Sequence, residues 1–122
     1  MKKPLTIILG IGVLIAGAIA LFMLSVPKPF MEAYASDDNA ILIDVRTPEE
    51  FSEGHIDGAV NIDFYAPDFT AQVEKVAQGK DIYAYCRSGS RSLGAKEQLQ
   101  ALGYTVHQLE GGLLSYTGPL VR

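Results

Sequence analysis

From Leu5 to Val26 the chain runs for 22 residues without a charge, polar only at Thr6 and Ser25. At ~1.5 Å of rise per residue this makes a helix of about 33 Å, enough for the hydrocarbon core of a bilayer. The run divides the 122 residues into two compositions. The remainder, Pro27–Arg122, is 96 residues, enough for one small domain around a single core. That part carries eight Lys and Arg against fourteen Asp and Glu, a formal net charge of −6. An acidic balance of this size argues against nucleic acid as a partner.

The apolar run is either a cleaved signal peptide or an uncleaved anchor. Signal peptides have a shorter apolar region, ~7–15 residues, ending at a small-x-small site. Ala18-Ile19-Ala20 has the right residue types, but Leu21-Phe22-Met23-Leu24 carries the run past it. The length favours a single-pass anchor over residues 5–26. Lys2 and Lys3 precede the run and only Lys28 follows closely, which keeps the amino end in the cytoplasm and places the domain on the extracytoplasmic side, periplasmic in a Gram-negative cell. The alternative is a soluble periplasmic protein after cleavage. Gly12, Ala16 and Ala20 share one helix face, a weak signal for packing against another helix. The expected organisation is an anchor over 1–26, a linker and short helix over 27–39, and a domain over 40–122.

Within the domain, Ala40-Ile41-Leu42-Ile43-Asp44-Val45 is a continuous apolar run that predicts a strand buried on both faces. Thr47, Pro48 and Glu50 form a helix start, with Thr47 as N-cap and Glu50 closing a capping box. Ala59–Ile62 predicts a short strand. Asp68 predicts the cap of a helix through Val76, with Phe69, Val73 and Val76 on one face. Lys80–Tyr85 is a further strand. Ser92–Leu102 has Leu93, Ala95, Leu99 and Leu102 at helical spacing and is stopped by Gly103. Phe30–Ser36 predicts a short helix, Tyr104–Leu109 a last strand, and Gly111-Gly112 a turn. Strands alternating with helices imply an α/β fold with a small, mostly parallel sheet flanked by helices. Such sheets place their sites beyond the carboxyl ends of their strands.

Cys86, the only cysteine, stands at such an end, in Cys86-Arg87-Ser88-Gly89-Ser90-Arg91. A lone cysteine is most often inert filler in a core. Two arginines within five residues and a strand-turn-helix setting point the other way. Backbone N–H groups, a helix N-terminus and the guanidinium charges all favour the thiolate, the reactive form. The same surroundings suit an anionic substrate. A single cysteine forms no intramolecular disulfide, so the chain is no disulfide scaffold.

Four stretches in order then resemble the rhodanese-like family of sulfurtransferases: Ile43-Asp44-Val45-Arg46, Gly54-His55-Ile56-Asp57-Gly58-Ala59-Val60-Asn61-Ile62, Cys86-Arg87-Ser88-Gly89-Ser90-Arg91-Ser92 and Glu110-Gly111-Gly112. The resemblance implies transfer of a sulfane sulfur through a Cys86 persulfide, from thiosulfate or a similar small anionic donor to cyanide, a thiol or a protein. It implies Arg87, Ser88, Gly89, Ser90, Arg91 and Ser92 as the substrate-binding loop, with Arg91 and then Arg87 as charge partners of the donor. It requires no cofactor and no metal. The family's phosphatase relatives use Cys-x5-Arg, whereas Arg91 here completes the shorter Cys-x4-Arg. Tyr116 stands where the family often has Trp.

Other candidates have plainer readings beside the functional one. Asp44 and Arg46 shape the site or, the favoured reading, form a structural ion pair. His55 is a possible base for Cys86 but sits between two glycine turns, which suggests loop packing. His107 lies in a strand and is an ordinary residue there. The main rival to small-molecule turnover is a persulfide carrier that hands sulfur to a protein partner. A non-catalytic interaction module has no need of Cys86 and comes after it.

Overall fold

The computed structural model describes residues 3–25 and 27–122, with the side chains of the first helix described over 10–22. That helix, α1, runs Lys3–Ser25. Among the described residues no helix is long and apolar enough to cross a membrane. Residues 10–22 rise only about 20 Å, and the ends of the expected span, 5–9 and 23–26, have side chains outside the described set. The spanning helix expected over 5–26 therefore gains no support here.

After α2 (Phe30–Ala35) the chain alternates: β1 (Ala40–Asp44), α3 (Pro48–Glu53), β2 (Val60–Asn61), α4 (Phe69–Ala77), β3 (Asp81–Tyr85), α5 (Ser90–Ala101) and β4 (Val106–Gln108), ending in a 3₁₀ turn, Gly112–Ser115. The four strands form one parallel sheet in the order β2-β1-β3-β4, with Ala40 level with Asp81 and Asp44 with Tyr85. The chain leaves β1 toward one edge and β3 toward the other. The crevice between their carboxyl ends is thus a switch point, where open α/β sheets bind their ligands.

Side chains alternate across a strand, and here both faces are covered, which is why the strands read as unbroken apolar runs. Ile43, Val45, Ile82, Ala84 and Cys86 point into one core with Phe69, Val73 and Ala77 of α4 and Ala95 and Leu99 of α5. Leu42, Tyr83 and Tyr85 point into the other, with Ile56 and, at its edge, Phe30, Tyr34, Leu113 and Tyr116. Parity therefore puts Cys86 on the α5 side of the sheet.

The sequence patterns need three adjustments. The buried stripe of α4 continues from Val73 to Ala77, one turn on, and Val76 is partly exposed. Asp68 stands at the N-cap of α4, but its carboxylate accepts from Gln72 Nε2 at 2.7 Å and bonds no backbone amide there. Helix α5 begins at Ser90, two residues before its apolar pattern, and buries Ser92, Ala95 and Leu99 while Leu93 and Leu102 face solvent.

Asp44 and Arg46 form a buried ion pair, Nη2 to Oδ2 at 2.7 Å, with Nε within 3.1 Å of both carboxylate oxygens. The guanidinium also donates to the Gly54 carbonyl at 2.6 Å, and Asn61 Nδ2 donates to the Arg46 carbonyl at 2.9 Å. This pair ties β1 to the loop before β2. Removing one member leaves a buried charge uncompensated, so Asp44→Ala is expected to cost about 3–5 kcal/mol, read as a lower urea midpoint. A loss below about 1 kcal/mol would show that solvent reaches Arg46.

Candidate active site

Strand β3 delivers Cys86 into the interior with no exposed surface. Gly89 follows at φ +95°, a left-handed conformation that glycine adopts without the steric cost of a side chain. That turn brings the Gly89 N–H to Cys86 Sγ at 3.1 Å and starts α5 at the next residue. The other side of the loop is pinned from outside. The Leu113 N–H donates to the Cys86 carbonyl at 3.0 Å, and the Leu114 N–H to the Arg87 carbonyl at 3.1 Å. With the first carbonyls of the loop bonded away, amides are left for the sulfur.

Gly112 makes this pinning possible. Its φ is +59°, and a Cβ there would lie 2.5 Å from the Cys86 carbonyl oxygen and overlap the Arg87 carbonyl as well. The Gly111-Gly112 pair is thus a point of backbone-on-backbone contact beneath the cysteine loop.

Burial pushes the Cys86 thiol up, but the Ser92 hydroxyl and the amides of Ser92, Gly89 and Ser88 outweigh it and hold the thiol below its ordinary value. Ser92 is also fully buried. Its Oγ lies 3.5 Å from Cys86 Sγ, 3.2 Å from the Gly89 carbonyl oxygen and 2.6 Å from Gln108 Oε1. Gln108, the last residue of β4, carries no signal in the sequence that marks it for the site.

The two arginines differ. Arg91, in the first turn of α5, forms a bidentate pair with Glu50, Nη1 to Oε1 at 2.7 Å and Nη2 to Oε2 at 3.0 Å, and its guanidinium lies 5.8 Å from the Tyr65 ring centre. Arg91 and the backbone and hydroxyl of Thr47 hold the Glu50 carboxyl at about 2 against the cost of burial. Glu50 also closes the capping box of α3 with Thr47, as the local sequence predicts. One carboxylate therefore caps a helix and holds an arginine 41 residues away. Arg87, by contrast, is exposed. Ser88 and Ser90 are exposed on the rim of the loop.

The remaining candidates are engaged in packing. His55 stacks on Phe51 at 3.6 Å between ring centres, with Nδ1 2.9 Å from the Phe51 carbonyl oxygen. His107 is exposed and stacks on Tyr83 at 4.6 Å. Tyr116 packs against the core that holds Tyr85, its hydroxyl donating to the Pro119 carbonyl at 3.2 Å. Among the described residues no group of three or more His, Cys, Asp or Glu is placed to hold a metal ion.

Comparison with known proteins adds a family. The family model described as "Rhodanese-like domain" matches residues 28–118. A tRNA uridine(34) hydroxylase of Bacillus thuringiensis (strain Al Hakam) is 37% identical over 95 residues, 74% of this chain. The chain spans 30% of the length of that relative. Among solved structures, a rhodanese-related protein from Thermoplasma volcanium superposes with a TM-score of 0.66 at 27% identity, over 77% of this chain and 95% of that one. A structure described as rhodanese with anions from E. coli gives 0.55 at 33% identity, over 68% of this chain and 98% of that one.

The contact at Gly112 yields a prediction. Gly112→Ala is expected to destabilise the domain by roughly 2–4 kcal/mol and to slow alkylation of Cys86, because a Cβ at that position pushes the loop carbonyls off their donors. Unchanged stability and unchanged alkylation rate would show that the loop does not lean on Gly112.

Proposed function

Because the chain belongs to the rhodanese-like domain family, we propose that it is a sulfurtransferase whose Cys86 carries sulfane sulfur as a persulfide. The observation that carries this reading is the buried Cys86 sulfur held by the Gly89 amide and the Ser92 hydroxyl, with the thiol below its ordinary value. In the first step the Cys86 thiolate attacks the outer sulfur of thiosulfate. The new S–S bond takes the thiolate's electron pair, the sulfur–sulfur bond of thiosulfate breaks, and sulfite leaves with its pair. In the second step cyanide or a thiolate takes the outer sulfur and the Cys86 thiolate is regenerated. The charge passes from thiolate to persulfide throughout, so the same amides serve both states.

The substrate-binding loop of this reading is Arg87–Ser92. Arg87 is the exposed cation that meets the donor. Arg91 contributes a charge already offset by Glu50, which leaves Arg87 as the main attraction for a small anion. Asp44 and Arg46 act at one remove, as the structural pair that fixes the end of β1.

The acceptor is open to a second reading, transfer to a protein thiol. Tyr65 beside Arg91, Leu93 in the first turn of α5 and Leu114 beneath Arg87 are 67%, 46% and 67% exposed. Exposed apolar side chains on and beside the elements that carry the cysteine loop suit a protein surface. The hydroxylase relatives are about three times as long as the matched segment, and the acidic balance of residues 27–122 disfavours an RNA backbone, so tRNA is not proposed as a substrate.

Exposure of the chain to thiosulfate is expected to add one sulfur atom to Cys86 by intact-protein mass spectrometry, lost again on cyanide with release of thiocyanate. Cys86→Ala is expected to abolish both signals while keeping the fold. Gain of sulfur with little cyanide turnover favours the carrier reading. No gain on a folded, reduced protein excludes thiosulfate as donor, and sulfur gain by Cys86→Ala ends the proposal.

The proposal extends to location: the uncharged run over residues 5–26 holds the domain at the cytoplasmic membrane, amino end inside and domain extracytoplasmic. Its support is the length of the run and the flanking lysines. The full chain is expected to stay with membranes through alkaline carbonate washing. Release into the soluble fraction with the first residues missing would mean cleavage as a signal peptide instead.

A further inference from the structure

The Ser92 hydroxyl carries one proton, and three acceptors surround it. They are Gln108 Oε1 at 2.6 Å, the Gly89 carbonyl oxygen at 3.2 Å and Cys86 Sγ at 3.5 Å. The shortest contact takes the proton. The Cys86 thiol then donates to Ser92 Oγ, and the donor order runs from sulfur through Ser92 to Gln108. This order fits a protonated sulfur.

An anionic sulfur reverses the demand. A thiolate or persulfide has no proton to give and is stabilised by receiving the Ser92 proton. With that proton turned to sulfur, Oε1 would face a lone pair of Ser92 Oγ at 2.6 Å, two acceptors in contact. A carboxamide removes the conflict because it has an acceptor and a donor on the same carbon. A half-turn about its last bond sets Nε2 where Oε1 stood, and the order becomes Nε2–H to Oγ, then Oγ–H to sulfur. The turn exchanges two atoms of similar size on the same carbon, so the half-buried Gln108 side chain makes it without displacing a neighbour.

We infer that Gln108 is a positioning residue that sets the thiol–thiolate balance of Cys86 by directing the Ser92 proton, its carboxamide turning over when the sulfur becomes anionic. The inference rests on the reading of Cys86 as the reactive sulfur. The charged groups on the elements around the loop stay constant in this exchange. They are Arg87 on the loop, Arg91 of α5 with Glu50 of α3, the Asp44–Arg46 pair at the end of β1, and Glu110 two residues beyond Gln108.

Iodoacetamide alkylation of Cys86 against pH, on the full chain, tests it without any sulfur donor. Gln108→Glu leaves only an acceptor at neutral pH and is expected to raise the alkylation midpoint by about one pH unit, a roughly tenfold loss of rate on the acid limb. Gln108→Lys leaves only a donor and is expected to lower the midpoint. Opposite shifts cannot come from a general loosening of the domain, which would move both variants the same way. Each new charge also acts through space, so both substitutions are repeated with Ser92→Ala, where the shifts are expected to shrink to less than half. Full-sized shifts in the Ser92→Ala background, or no opposite shifts with Ser92 present, would overturn the inference. Thiosulfate plays no part in this measurement, so failure of the sulfurtransferase reading and failure of the Gln108 assignment are separately visible.

Discussion

The hydrogen bonds from the Leu113 and Leu114 amides to the carbonyls of Cys86 and Arg87 decide which way the cysteine loop faces. A peptide unit offers a donor and an acceptor on opposite sides, so binding the carbonyls on the outside leaves N–H groups for the inside. This requires one backbone to lie directly on another, and Gly112 is where that happens. The segment that supplies those donors follows β4. Its seat depends on β4, which carries the chain to Leu109, whose amide in turn bonds the Ala84 carbonyl of β3. The reactive turn is therefore built from two distant pieces of sequence brought together by parallel strand register.

The electrostatics of the site derive from that arrangement. Burial alone disfavours a thiolate, and the amides with the Ser92 hydroxyl reverse the balance. The guanidinium charges then have a different task. Arg91 is paired with Glu50, so the loop does not carry two free cations, and Arg87 is the exposed one, the cation proposed to meet the donor. Charge on the sulfur is thus held by short contacts that move with the loop. Attraction of an anion from solution is left to a residue that can reach outward.

Much of this was legible in the sequence where the physics is local. The Asp44–Arg46 pair spans two residues, the Thr47–Glu50 cap three, and both are present. Strands β1 and β3 were readable because both their faces are buried and their middle residues are apolar. The start of α5 was not, because Ser90 and Arg91 carry no apolar periodicity and the helix begins where Gly89 turns left-handed. Nor could the Arg91–Glu50 pair be seen, since Glu50 was fully explained as a cap and its second partner lies on another helix. Gln108 was hidden for the same reason: a polar residue at a strand end ordinarily faces water, and only the approach of β4 to the first turn of α5 turns it inward.

The early start of α5 also bears on what the cradle can hold. Only Cys86–Gly89 is non-helical, and the Gly89 amide already touches the sulfur at 3.1 Å. The cradle amides therefore act on the cysteine's own sulfur, where a longer loop would open them around a separate anion. The proposed persulfide would extend from that point by one atom and keep its inner sulfur within the same contacts. In the proposed transfer, the anion of each half-reaction would meet dipoles that are already in place, with no reorganisation of the loop backbone between donor and acceptor. The side-chain proton of Ser92 is the one element that must choose a direction. In the proposed chemistry, that choice rests on one hydroxyl and on the carboxamide 2.6 Å from it.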